Sequence, residues 1–110
     1  MKKIPMLLLI IICLPILGIG AQIYGNLRWN GGNVGMNVPV KIVCDQTPYE
    51  ARTDANGSYT VPLRLSKKCD LSVYFADRWS RAFVVYPYED PVRYDFDLID
   101  VGNAIELRRR

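Results

Sequence analysis

Cys44 and Cys69 stand 25 residues apart in the body of the chain and are the side chains best suited to covalent chemistry. The 110-residue sequence contains no histidine, so neither a Ser-His-Asp nor a Cys-His nucleophilic system can be assembled from it. Asp95 and Asp97 alternate along one segment, and Glu89 is followed by Asp90. Paired carboxyls hydrolyse glycosides when held about 5 to 9.5 Å apart across a cleft, and a chain this small offers little wall for one. Asp54, Asn56 and Gly57 resemble the start of a calcium loop, but an EF-hand needs a bidentate Glu at its twelfth position, where this chain has Leu65. Gly31, Gly32 and Gly35 precede an apolar alternating run rather than a helix, so they predict an inter-strand loop and not a phosphate cradle. No metal site and no cofactor is expected.

The elements that must position these residues begin after a leader. Lys2 and Lys3 form a positive start, Ile4 to Ile19 an apolar run, and Gly18, Gly20 and Ala21 the small residues signal peptidase requires. The run is shorter than a bilayer-spanning helix and contains Pro5 and Pro15. It predicts a cleavable signal-peptide helix over residues 1–21, leaving one domain over 22–110. Cys13 would leave with the leader, so the exported domain keeps an even pair, Cys44 and Cys69, which an oxidising compartment joins. Secretion or a periplasmic location follows, with membrane contact only through the leader before cleavage.

Without Lys2 and Lys3, the basic count falls from 14 to 12 against 11 acidic residues. A nucleic-acid binder displays a basic stripe; here the signs alternate, and no nucleic acid is expected as a partner. The three arginines Arg108 to Arg110 predict a solvated, fraying end.

Past the leader, apolar residues recur with a period of two. Tyr94, Phe96 and Leu98 alternate with Arg93, Asp95 and Asp97, and Val38, Val40, Ile42 and Cys44 form a second stripe. Further stripes are Leu71, Val73 and Phe75, then Tyr59, Val61 and Leu63, with Ile23, Leu27, Ile105 and Leu107 near the domain's ends. Gly, Asn, Asp and Pro clusters separate them. The pattern predicts an all-β protein, an antiparallel Greek-key β-sandwich of about seven strands. The cysteines end or open apolar stripes, so their bridge would pin two strands across or along the core.

All 12 aromatic residues lie beyond the leader. Tyr59, Phe75, Tyr94 and Phe96 fit inward positions. Trp29, Trp79, Tyr86 and Tyr88 sit at strand ends or beside loops, and their exposure would suit sugar stacking or a protein interface.

The stretch VPVKIVC at Val38 to Cys44, followed by TDANGSYTV at Thr53 to Val61, resembles the carboxypeptidase regulatory-like domains, which share the transthyretin-like (prealbumin-like) sandwich. In that pattern Asn56 and Gly57 take positive φ in a hairpin reversal and Tyr59 points inward. The cysteine placement is similar to that of pollen Ole e 1-like domains, although the first cysteine of that pattern has no counterpart. The resemblance implies a sandwich and no single activity. A transthyretin-like hydrolase or a dioxygenase on this fold would need histidines the chain lacks. The expected function is thus an exported, non-catalytic binding or interaction module for a protein or carbohydrate. A structural accessory subunit of a cell-surface or secretion assembly, joined through a sheet edge, is the alternative, and a carboxylate hydrolase using Asp95 or Asp97 comes last.

Overall fold

The computed structural model describes residues 21–110, and the expected leader, apart from Ala21, lies outside the described residues. Eleven strands are formed among the described residues: β1 (Ala21–Trp29), β2 (Gly32–Asn33), β3 (Pro39–Cys44), β4 (Thr47–Arg52), β5 (Ser58–Leu63), β6 (Cys69–Phe75), β7 (Arg78–Trp79), β8 (Phe83–Val85), β9 (Val92–Arg93), β10 (Phe96–Asp100) and β11 (Ile105–Arg109). Alternate burial along β1, β3, β5 and β6 follows the apolar stripes, because successive side chains of a strand face opposite sides.

The strands make two sheets. In sheet I, β1 is central: β5 pairs antiparallel on one side, β9 and β10 pair parallel on the other, and β11 closes the sheet against β10. Sheet II runs β4, β3, β6, with β7 and β8 both on the far side of β6. The expectation of purely antiparallel pairing is therefore corrected in sheet I. Alternation reports which face a residue occupies, not which way the neighbouring strand runs.

One apolar core lies between the sheets, with Ile23, Leu27 and Phe96 from sheet I against Val40, Ile42, Leu71 and Val73 from sheet II. Each such fully buried side chain contributes about 1.5 to 3 kcal/mol. Aromatic contacts join the layers: Trp29 meets Phe75 at 5.2 Å between centroids, and Phe83 meets Phe96 at 4.9 Å. Cys44 and Cys69 are bonded and buried, their Cα atoms 4.5 Å apart. They sit opposite one another on β3 and β6, so the bridge ties neighbours within sheet II rather than crossing the core.

Tight reversals set the registers. Asn30 and Gly31, Asp45 and Gln46, and Ala76 and Asp77 all have positive φ, the two-residue geometry whose twist matches the strands it joins. The turn at Asp54 differs from the expected hairpin, because it carries the chain from β4 in sheet II to β5 in sheet I. Only Gly57 there has positive φ, at 77°; Asn56 does not. A Cβ on Gly57 would lie 2.9 Å from Leu27 O, so the residue must be glycine on both counts.

Ala21, grouped with the leader by its sequence, is fully buried and pairs with Leu63 as the first residue of β1. The C-terminal end, expected to fray, is tied into sheet I. Arg110 N donates to Asp95 O (2.8 Å) and the Arg110 guanidinium reaches Asn26 O (3.0 Å) and Asp97 (3.2 Å), which pins the end of β11 to β1 and β10.

Candidate functional site

The polar side chains Thr53, Asp54 and Tyr59 of the Thr53 to Tyr59 stretch hold the fold. Thr53 is buried; its hydroxyl donates to Gly35 O (2.6 Å) and accepts from Val38 N (2.9 Å). Asp54 Oδ1 accepts from Asn56 N (2.9 Å) and Ser58 N (3.0 Å), closing the turn. Tyr59 is buried as expected and its hydroxyl donates to Tyr94 O. Burial pushes its phenol far above the ordinary tyrosine range, with the Asp95 carboxylate adding to the effect. Asp54 Oδ1 is thus committed to closing the turn rather than left to hold a cation. Among the described residues, no group of three or more His, Cys, Asp or Glu is placed to do so.

The two strand carboxylates are engaged as well. Asp95 pairs with Arg93 (2.9 Å) and accepts from Asn26 N (2.8 Å). Asp97 lies between Arg28 (3.4 Å) and Arg110 (3.2 Å). A shallow cleft of about 400 Å³ opens beside Arg28, Trp29, Asp97 and Asp100. Asp100 in that cleft accepts from Gly102 N (2.8 Å) and pairs with Arg78 (3.0 Å), and these contacts, the Gly102 N–H foremost, hold its carboxyl below the usual range. A carboxyl held low in this way, as Asp100 is, lacks the raised pKa that a general acid needs.

The four aromatic residues singled out by the sequence do not form one patch. Trp29 is partly buried at the end of β1, against Phe75 on the core side. Trp79 is 41 % exposed on the outer face of sheet II, where it pairs with Tyr74 in register and meets it edge-on at 5.3 Å. Tyr86 and Tyr88 follow β8 and are exposed. β8 pairs with the opposite end of β6, from Cys69 to Leu71, so about 16 Å of strand separates Val85 from Trp79.

A smaller cluster is built around Trp79. Lys41 on β3 pairs in register with Ser72 on β6, one row from the Tyr74–Trp79 pair. The Lys41 ammonium stands 4.3 Å from the Trp79 ring centroid, a cation–π contact across β6. The side chains of Tyr74, Trp79 and Lys41 thus make a platform with apolar ring surface and a nearby cation. Tyr74 and Lys41 are additions to the expected residues. Their signal was parity, since both alternate with the core residues Val73 and Ile42.

In comparisons with known proteins, no family model matches the chain and no curated protein does.

Proposed function

We propose that this protein is an exported, non-catalytic interaction module of the transthyretin-like, carboxypeptidase regulatory-like kind, which presents the outer face of sheet II to a protein or carbohydrate partner. The observation that carries the reading is the exposure of Trp79 on that face, backed by Tyr74 and Lys41. Exposed Trp and Tyr provide ring surface for a pyranose or for an interface anchor. The family resemblance is supported by V-x-V falling on β3, by the glycine turn at Gly57, by the inward Tyr59, and by chain crossings between the sheets from β4 to β5 and β5 to β6, as a Greek key requires. Export is supported by the buried Cys44–Cys69 bridge, which oxidising compartments favour. Cleavage after Gly20 leaves Ala21 in place at the start of β1.

Trp79→Ala tests the reading. The exported variant should keep its β-sheet circular dichroism and bind the co-purifying partner, or a glycan selected from an array, at least about tenfold more weakly. Unchanged affinity for every such ligand overturns the platform.

An accessory subunit joined through a sheet edge is the second reading, favoured by unpaired backbone groups along β11.

A further inference from the structure

The edges of the two sheets differ in what they offer a neighbour. On one side lie β4 and β5. Thr53 N donates to Val38 O (3.0 Å) and Leu27 N to Gly57 O (2.9 Å), and these bonds set the antiparallel alternation. Residues 48, 50 and 52 of β4 and 58, 60 and 62 of β5 therefore turn their backbone groups outward. Pro48 and Pro62 occupy two of those positions and have no N–H to give. Ser58 is already closed by Asp54, which takes its N–H and gives its own to Ser58 O. Both edges on this side are thus interrupted, as edges protected against added strands are.

β11 is different. Arg110 N to Asp95 O (2.8 Å) and Val101 N to Ala104 O (3.0 Å) fix its alternation, so Ile105, Leu107 and Arg109 turn their backbone groups outward. Ile105 O accepts from Arg81 N (2.8 Å). The N–H and C=O of Leu107 and Arg109 have no hydrogen-bond partner among the described residues, and no proline interrupts the strand. The charge along this edge is positive: Glu106 is paired with Arg81 (3.2 Å), Asp97 opposite Arg108 is taken by Arg28 and Arg110, Arg108 is exposed without an ion pair among the described residues, and Arg109 lies over the Tyr94 ring.

We propose that β11 is the docking edge of the sandwich and that its occupant is an extended segment of another protein in which acidic and apolar residues alternate. Added to the sheet, such a segment places its acidic side chains beside Arg108 on the solvent face and its apolar ones beside Ile105 and Leu107 at the core margin. The backbone groups of Leu107 and Arg109 supply the affinity common to all strands, and Arg108 selects the charge. The proposal rests on the interaction-module reading and adds to it a second surface, the register and the chemistry of the partner.

The test uses protein produced from the full chain through an oxidising export route, labelled with ¹⁵N. It is titrated with a capped seven-residue peptide alternating Glu and Val, and with its Lys/Val counterpart. Saturable shifts and slowed solvent exchange at the Leu107 and Arg109 amides are expected with the Glu/Val peptide alone. Arg108→Glu, which breaks no side-chain hydrogen bond or ion pair among the described residues, should weaken that peptide roughly tenfold and admit the Lys/Val one. Shifts centred on β4 or β5, no saturation, or indifference to Arg108→Glu overturns the proposal. So does a concentration-dependent dimer that protects the same amides without peptide, because the occupant is then a second copy. Affinity for the natural partner that depends on Trp79 but not Arg108 overturns the edge and keeps the module, and dependence on neither removes both.

Discussion

The Tyr59 hydroxyl donates a 2.7 Å hydrogen bond to the main-chain carbonyl of Tyr94, 35 residues away, inside the core. That carbonyl also faces Gly25 of β1, directly opposite Tyr59 in the β1–β5 pair, at a point where an added Cβ would collide with it. Three strands are thereby keyed together where β9 gives way to β10. Tyr94 in turn accepts from Tyr86 N through its own hydroxyl (3.0 Å).

Removing the hydroxyl in Tyr59→Phe leaves the Tyr94 carbonyl buried without this donor and should cost about 1 to 3 kcal/mol, measured by urea denaturation. The pH dependence has a definite sign. Tyr59 keeps its proton in the folded state above the unfolded value of roughly 10, so the unfolded state binds fewer protons in alkali. Its contribution is full below that pH and is lost as pH rises toward the folded value, at about 1.4 kcal/mol per pH unit. Tyr59→Phe should flatten the alkaline fall in stability relative to the parent; parallel curves would contradict the assignment.

Opening the Cys44–Cys69 bridge, by reductant or by paired Ser substitutions, should lower stability by roughly 3 kcal/mol for a loop of this length. Alkylation of protein produced in an oxidising compartment, under denaturing, non-reducing conditions, should label neither residue. Quantitative labelling of both would contradict the bridge.

Gly25→Ala and Gly57→Ala should differ in severity. Gly57→Ala strains a residue at φ 77° and presses on Leu27 O, which predicts a loss of about 1 to 3 kcal/mol with the fold kept. Gly25→Ala drives a methyl into the Tyr94 main chain and should displace the β9–β10 junction, read as loss of amide protection at Tyr94.

The tryptophans separate stability from exposure. Trp29→Ala removes the packing on Phe75 and should destabilise the fold by more than about 1 kcal/mol, whereas Trp79→Ala, at the surface, should stay within about 0.5 kcal/mol. Acrylamide should quench Trp79 fluorescence strongly and Trp29 weakly, each observed after the other is replaced by Phe.

Pro48→Thr combined with Pro62→Thr restores two outward N–H groups on the β4 and β5 edges. Self-association should increase in size-exclusion chromatography at high concentration. A strictly monomeric double variant would show that the prolines do not guard these edges.

Much of this architecture is legible in the sequence because alternation fixes faces. The stripes of β3, β5, β6, β10 and β11 are buried where the period of two places them, apart from the half-buried Phe75. β4 was hidden, since TPYEAR contains a proline and only Tyr49 and Ala51 turn partly inward, the composition of an edge. The parallel pairing of β1 with β10 was not readable, because direction leaves no trace in alternation. Trp79 and Tyr86 both looked like exposed aromatics, and only the register of β7 and β8 on β6 shows that they stand at opposite ends of the strand. The ordered C-terminal arginines escaped for a similar reason. Their partners Asn26, Arg93, Asp95 and Asp97 come from other strands, beyond the reach of local composition.

The position of β1 has a temporal consequence. It neighbours β10 at a separation of 69 residues, as the Asn26–Asp95 bond marks, so the strand made first must wait for one of the last before sheet I can close. Such long-range pairing slows folding. While the ribosome is still working, the nascent polypeptide therefore stays unlocked along that seam.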